Sequence, residues 1–150
     1  VLAGGAAGSS QVKLLSGQGG NVAFPTDGRG WTMEMWLTQK SVQKFSRIFQ
    51  CGFKKNANDL FLSSNTGGTN PYYFCFSTEN RKSKFTLQNN VRYHLAFTME
   101  KQANGSWWGT VMFRNPETGA LLDRLVVKKA TDWSPSNIDQ STGLWLGNGA

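Results

Sequence analysis

Few residues in this 150-residue chain have types and spacing that could do chemistry. Glu34 and His94 head the list. Glycoside hydrolysis needs two carboxylates flanking the scissile bond. On its own strand row Glu34 has only Thr32 and Trp36 for company, so one carboxylate would have to serve as both acid and nucleophile. His94 is the single histidine, which excludes a His-based metal site. No Gly-x-Ser-x-Gly elbow is present to activate a serine. Glu34 and His94 are therefore read as a cross-strand polar pair that supports a sheet, with Arg92 available to neutralise Glu34.

Calcium prefers six to eight oxygens, usually with two or more carboxylates. The best local oxygen cluster is Asn56, Asn58 and Asp59, with Asp27 and Asp132 farther off. The Asn-rich stretch is more simply a turn, and no cofactor is expected. Cys51 and Cys75 lie in separate expected strands with a third between them. Strand spacing of ~4.8 Å would hold them beyond disulfide reach, so both are expected as free thiols.

Aromatic side chains on outward strand rows are more informative. Trp36 shares its row with Glu34, and Trp108 shares a row with Thr110, Met112 and Arg114. Sugar rings stack on tryptophan and use nearby carboxylate and guanidinium groups for their hydroxyls. Trp36, Glu34, Arg92, His94, Trp108 and Arg114 are thus the candidate ligand-binding residues. The alternative for Trp36 is burial beneath a loop. Asn104-Gly105-Ser106 is an N-glycosylation sequon at an expected hairpin tip.

These residues are positioned by short alternating runs. In Trp31–Thr38, Trp31, Met33, Met35 and Leu37 fall on one face and Thr32, Glu34, Trp36 and Thr38 on the other. Val91 to Met99 repeats the pattern, with Val91, Tyr93, Leu95, Phe97 and Met99 as its apolar row. Further strands are expected at 11–15, 21–24, 47–52, 59–64, 72–77, 84–87, 107–114, 121–127 and 144–146. Asn104-Gly105 is the strongest hairpin signal. About eleven strands without a helix suit two stacked sheets. Residues 1–10 read as a lead-in segment or linker, and 11–150 as one domain.

Composition agrees. The chain is 39% hydrophobic with 19 aromatic residues, which excludes disorder, and no apolar run is long enough to span a membrane. It lacks an initiator Met, which suggests a piece of a longer protein. The formal charge is +7, but the basic clusters Lys54-Lys55, Arg81-Lys82-Lys84 and Lys128-Lys129 are scattered along the chain. They are read as a solvated rim, with no nucleic-acid partner.

The motifs Trp31-Thr-Met-Glu-Met-Trp-Leu37, Arg47-Ile-Phe-Gln-Cys-Gly52, Tyr93-His-Leu-Ala-Phe-Thr98, Gly109-Thr-Val-Met-Phe-Arg-Asn115 and Leu144-Trp-Leu-Gly-Asn148, in that order, resemble a laminin-G-like domain of the concanavalin A-like lectin/glucanase superfamily. Two departures are Arg92, where that family usually has Trp, and Asn115-Pro116 in place of an Asp/Asn-Gly turn. The resemblance implies an all-β jelly-roll sandwich of two antiparallel sheets. The Glu-x-Asp-x-x-Glu cluster of that superfamily's hydrolases is missing. The expected function is a non-catalytic, extracellular or cell-surface recognition domain that binds glycan or a glycoprotein. The alternative is a structural or adhesion module packing against sister domains, with a glycoside hydrolase a distant third.

Overall fold

The computed structural model describes residues 12–13, 30–41, 46–51, 59–64, 71–77, 79–129, 131–138 and 144–147. The expected strand at 21–24 lies outside them. Within them run ten strands: β1 (Val12–Lys13), β2 (Trp31–Thr38), β3 (Arg47–Cys51), β4 (Leu60–Ser63), β5 (Tyr73–Phe76), β6 (Glu79–Lys82), β7 (Arg92–Lys101), β8 (Trp107–Arg114), β9 (Leu121–Lys129) and β10 (Leu144–Leu146), with a short 3-10 turn at Pro135–Asn137. They form two antiparallel sheets packed as a sandwich. One is four-stranded, in the order β2-β7-β8-β9; the other is six-stranded, in the order β1-β10-β3-β4-β5-β6.

Period-two alternation produces this arrangement. Along β2 the odd residues are half-buried and the even ones exposed. Its full pairing with β7, from Trp31 opposite Met99 to Thr38 opposite Arg92, keeps both apolar rows on one side. Leu95, Phe97, Met99, Val111 and Phe113 from this sheet meet Phe49, Leu60, Leu62, Phe74 and Phe76 from the other, all essentially fully buried. Phe97 is the junction: its ring lies 5.4 Å from Trp31 in its own sheet, and 5.4 Å from Phe49 and 5.6 Å from Phe74 across the sandwich.

Gly109 sets how closely the sheets approach. A Cβ at that position would stand 3.0 Å from the Phe76 ring and 3.1 Å from Phe74 Cζ. A side chain there would push β8 off β5. A polar clamp closes one flank of the sandwich, where the Tyr72 hydroxyl and the Ser83 hydroxyl each donate to Asp123 Oδ2 at 2.6 Å.

Two expectations need correction. Residues 84–87 are not a strand. Phe85 and Leu87 do turn inward, and the Phe85 ring packs on Tyr93 and Phe113. The only backbone pairing shown for that stretch is a single bond from Tyr72 N to the Phe85 carbonyl. The edge strand is instead β6, whose Glu-Asn-Arg-Lys sequence carries no apolar residue. The hairpin at Asn104-Gly105 is also longer than a two-residue turn. Gln102 N donates to Ser106 O and Gly105 N to Gln102 O, with Gly105 at φ 86°.

Gly109→Ala should destabilise the domain by about 1–3 kcal/mol through overpacking against Phe74 and Phe76. Urea unfolding reads this directly. Unchanged stability would mean that the sheets have room to separate.

Candidate functional site

The outward face of the four-stranded sheet is a grid fixed by register. It begins with the pair Thr38–Arg92, then runs Trp36–His94–Arg114–Leu121, Glu34–Ala96–Met112–Arg124, Thr32–Thr98–Thr110–Val126, and last Glu100–Trp108–Lys128. Trp36 therefore stands directly across from His94, with Glu34 two residues along the same strand and diagonal to His94.

Four of the six candidate residues, Trp36, His94, Glu34 and Arg92, come together at one corner of this face, where β2 pairs with β7. Trp36 is 66% exposed, so the structure resolves the choice between open face and loop cover in favour of the open face. Its ring lies 5.7 Å from the His94 ring, tilted by 45°. The Arg92 guanidinium is 5.8 Å from the Trp36 ring centroid, at the outer limit of a cation–π contact. His94 Nε2 approaches Glu34 Oε2 at 3.6 Å. The expected cross-strand pair is thus present. The expected neutralisation of Glu34 by Arg92 is not shown, because Arg92 lies opposite Thr38 and toward Trp36.

Arg114 faces His94 from the next strand, and its Nη1 donates to Gly119 O at 3.1 Å, which ties it to the β8–β9 turn. Trp108 is a different matter. It pairs with Glu100, six residues along β7 from His94, which puts it about 20 Å from the Trp36 row at ~3.4 Å per residue. Lys128 Nζ sits 4.2 Å over its ring. The two tryptophans share a face but cannot form one sugar platform. Strand alternation places residues on a face; only register says how far apart they lie on it.

The remaining candidates have less chemistry. Asn56, Asn58 and Asp27 lie outside the described residues, and among those described no three His, Cys, Asp or Glu residues cluster as a metal site. In the sequon, the Asn104 side-chain oxygen accepts from both the backbone N–H and the hydroxyl of Ser106, so it shapes the hairpin tip. Both cysteines are buried thiols outside any disulfide, on strands separated by β4. Cys51 lies in the register row of Leu60 and Phe76, while Cys75 lies in that of Phe61. The two thiols therefore point to opposite faces of their sheet.

Cys75 Sγ donates to the Ser77 carbonyl at 3.0 Å. Burial pushes its thiol up to about 12, with the Asp59 carboxylate adding to the effect. A thiol held protonated is a poor nucleophile.

The charge scatter along the chain persists in three dimensions. Strands β6 and β9 are the edges of opposite sheets and lie side by side on one flank. Ser83 reaches Asp123 near one end of that flank, and Lys129 Nζ lies 3.9 Å from Glu79 Oε1 near the other. The basic clusters nevertheless stay apart: Arg124 and Lys128 stand on the outward face of the four-stranded sheet, whereas Lys82, opposite Tyr73, stands on the outward face of the six-stranded one.

Comparison with protein-family models, curated proteins and solved structures finds no match to this chain.

The raised Cys75 pKa makes the domain sensitive to alkali. Between its ordinary value near 9 and about 12, the unfolded thiol ionises while the folded one keeps its proton. Stability is complete below about pH 9 and should fall as pH rises through this window, by at most ~1.4 kcal/mol per pH unit. Tyr72, raised by burial and by Asp123, adds to the same loss above about pH 10. Urea unfolding at pH 8 and pH 10.5 should show the decline, and Cys75→Ala should make it shallower. An identical pH slope in that variant would remove Cys75 from the account.

Proposed function

We propose that this chain is a non-catalytic recognition domain, extracellular or on a cell surface, that binds a glycan or a glycosylated partner through the sheet face around Trp36. The observation that carries this reading is the exposure of Trp36 at 66% on an edge strand paired along its whole length with β7. A large aromatic kept in water beside a carboxylate, an imidazole and a guanidinium offers a stacking surface with hydroxyl partners around it. Glu34, His94 and Arg92 supply those groups within the same corner. Arg114 lies one strand farther in. Trp108 is excluded from this corner by its distance.

The concanavalin A-like, laminin-G-like jelly roll belongs to the same proposal. The order of the five sequence motifs and the two antiparallel sheets both support it. The non-catalytic part rests on the row around Glu34, where the same-face neighbours on β2 and β7 are Thr32, Trp36, His94, Ala96 and Thr98. None of these is a second carboxylate of the kind that glycoside hydrolysis requires.

A glycan array with and without calcium tests the reading. Trp36→Ala should lower affinity for any bound glycan roughly tenfold or more while the melting temperature stays within a few degrees, because the ring is mostly outside the core. Trp108→Ala should leave that affinity nearly unchanged. Stable self-association with no glycan bound would favour a structural module instead. Turnover of β-glucans, galactans or sialosides that disappears in Glu34→Gln would overturn the non-catalytic assignment.

A further inference from the structure

We propose that Asn104, at the tip of the β7–β8 hairpin, is the attachment point of an N-linked glycan. The inference rests on the extracellular part of the reading above, and it uses neither Trp36 nor its neighbours.

Of the twelve asparagines in the chain, only Asn104 has Ser or Thr two places on without an intervening Pro. Such a triplet is a weak signal by itself, so its setting decides. The setting is a hairpin tip. Lys101 with Trp107 is the last pair of the β7–β8 ladder. The chain then reverses with Gln102 N donating to Ser106 O and Gly105 N to Gln102 O, Gly105 standing at φ 86°. Ala103 and Asn104 are exposed. Exposed loop tips are where a folded chain best tolerates added bulk.

The Asn104 carboxamide is used by the fold on one side only. Its oxygen accepts from Ser106 N at 3.1 Å and from Ser106 Oγ at 2.7 Å. Its nitrogen makes no hydrogen bond among the described residues. The turn is thus built on Oδ1 and leaves Nδ2, the atom that carries an N-linked sugar, unengaged. Asn115 shapes the β8–β9 turn through its oxygen in the same way, but Pro116 and Glu117 follow it and bar the modification. Ser106 itself is only 9% exposed, with its hydroxyl held on Asn104. A transferase that reads this hydroxyl must meet it before the hairpin closes. Transfer therefore belongs to the chain during synthesis, and the closed tip then carries the glycan outward.

The donor is a lipid-linked oligosaccharide whose first N-acetylglucosamine is joined to pyrophosphate through C1. Nδ2 attacks C1 and the Nδ2–C1 bond forms. The C1–oxygen bond breaks, its electron pair leaves with the lipid pyrophosphate, and Nδ2 gives up one proton. Nothing is oxidised or reduced. The product is a bulky, solvated group on a surface loop. Lys101 lies seven residues along β7 from His94, about 24 Å at ~3.4 Å per residue, and Asn104 lies beyond Lys101. A glycan there stands at the far end of the sheet and leaves the Trp36 corner open.

Secretion of the full chain from cultured animal cells, behind a cleavable signal peptide, tests the proposal. Digestion with a peptide-N-glycosidase should shift the secreted chain to one lower mass and leave an aspartate at position 104. Ser106→Ala should abolish the shift, whereas Ser106→Thr, which keeps the hydroxyl, should retain it. Asn104→Asp keeps an acceptor oxygen for both Ser106 donors. It should therefore be secreted at the lower mass, with a melting temperature within a few degrees of the parent. A secreted parent chain with no glycosidase-sensitive mass overturns the proposal, whatever a glycan array shows. So does a shift that survives in Asn104→Asp. A modified chain that binds no sugar on the array would uphold this site and remove the recognition reading alone.

Discussion

The sandwich depends on one close approach. Phenyl rings from β3 and β5 enter the space under β7 and β8, and Phe97 touches Trp31, Phe49 and Phe74 at once. Aromatic rings bury large areas, and tilted or edge-on contacts of this kind add to what area alone supplies. They fit because Gly109 presents bare backbone to Phe74 and Phe76. With the sheets drawn together at this point, the outward rows of β2 and β7 have a rigid backing. The Trp36 corner is held by the strands beneath it, with no loop needed to shape it.

The same packing divides the polar groups into two kinds. Tyr72, Ser83 and Asp123 satisfy one another at the sandwich flank, where a buried hydroxyl without a partner would cost about 1–3 kcal/mol. Glu34, His94 and Arg92 stand on the outer face with weaker, longer contacts. Polar groups that hold one another tightly have little left to offer a ligand. Loosely paired, solvent-facing groups beside an exposed indole do.

Much of this was legible from residue order. Alternation assigned the faces of β2, β7 and β8 correctly, including the exposed side of Trp36 and the cross-strand pair of Glu34 with His94. It failed where the pattern and the ladder part company. Phe85 and Leu87 alternate like a strand but serve as plugs for the core, whereas β6 pairs with β5 through an all-polar sequence that protects an edge. Distances within a face were beyond reach as well. Trp36 and Trp108 alternate identically, and only the β7 register separates them. The meeting of β6 with β9 and the bulge between β8 and β9 arise from long-range topology and a register shift, neither of which leaves a mark in a short window of sequence.

The position of β10 has a kinetic consequence. This strand lies between β1 and β3, so residues 144–146 join two segments that left the ribosome far earlier. Until they arrive, the β3 edge lacks its partner, and the six-stranded sheet cannot be completed. Pairings so distant in sequence carry a large loop-closure cost before any contact rewards it, and they slow folding. An unpaired edge that persists through synthesis is a template for wrong pairing. The nascent chain must therefore wait, partly assembled, for a strand of only three residues to lock the sheet.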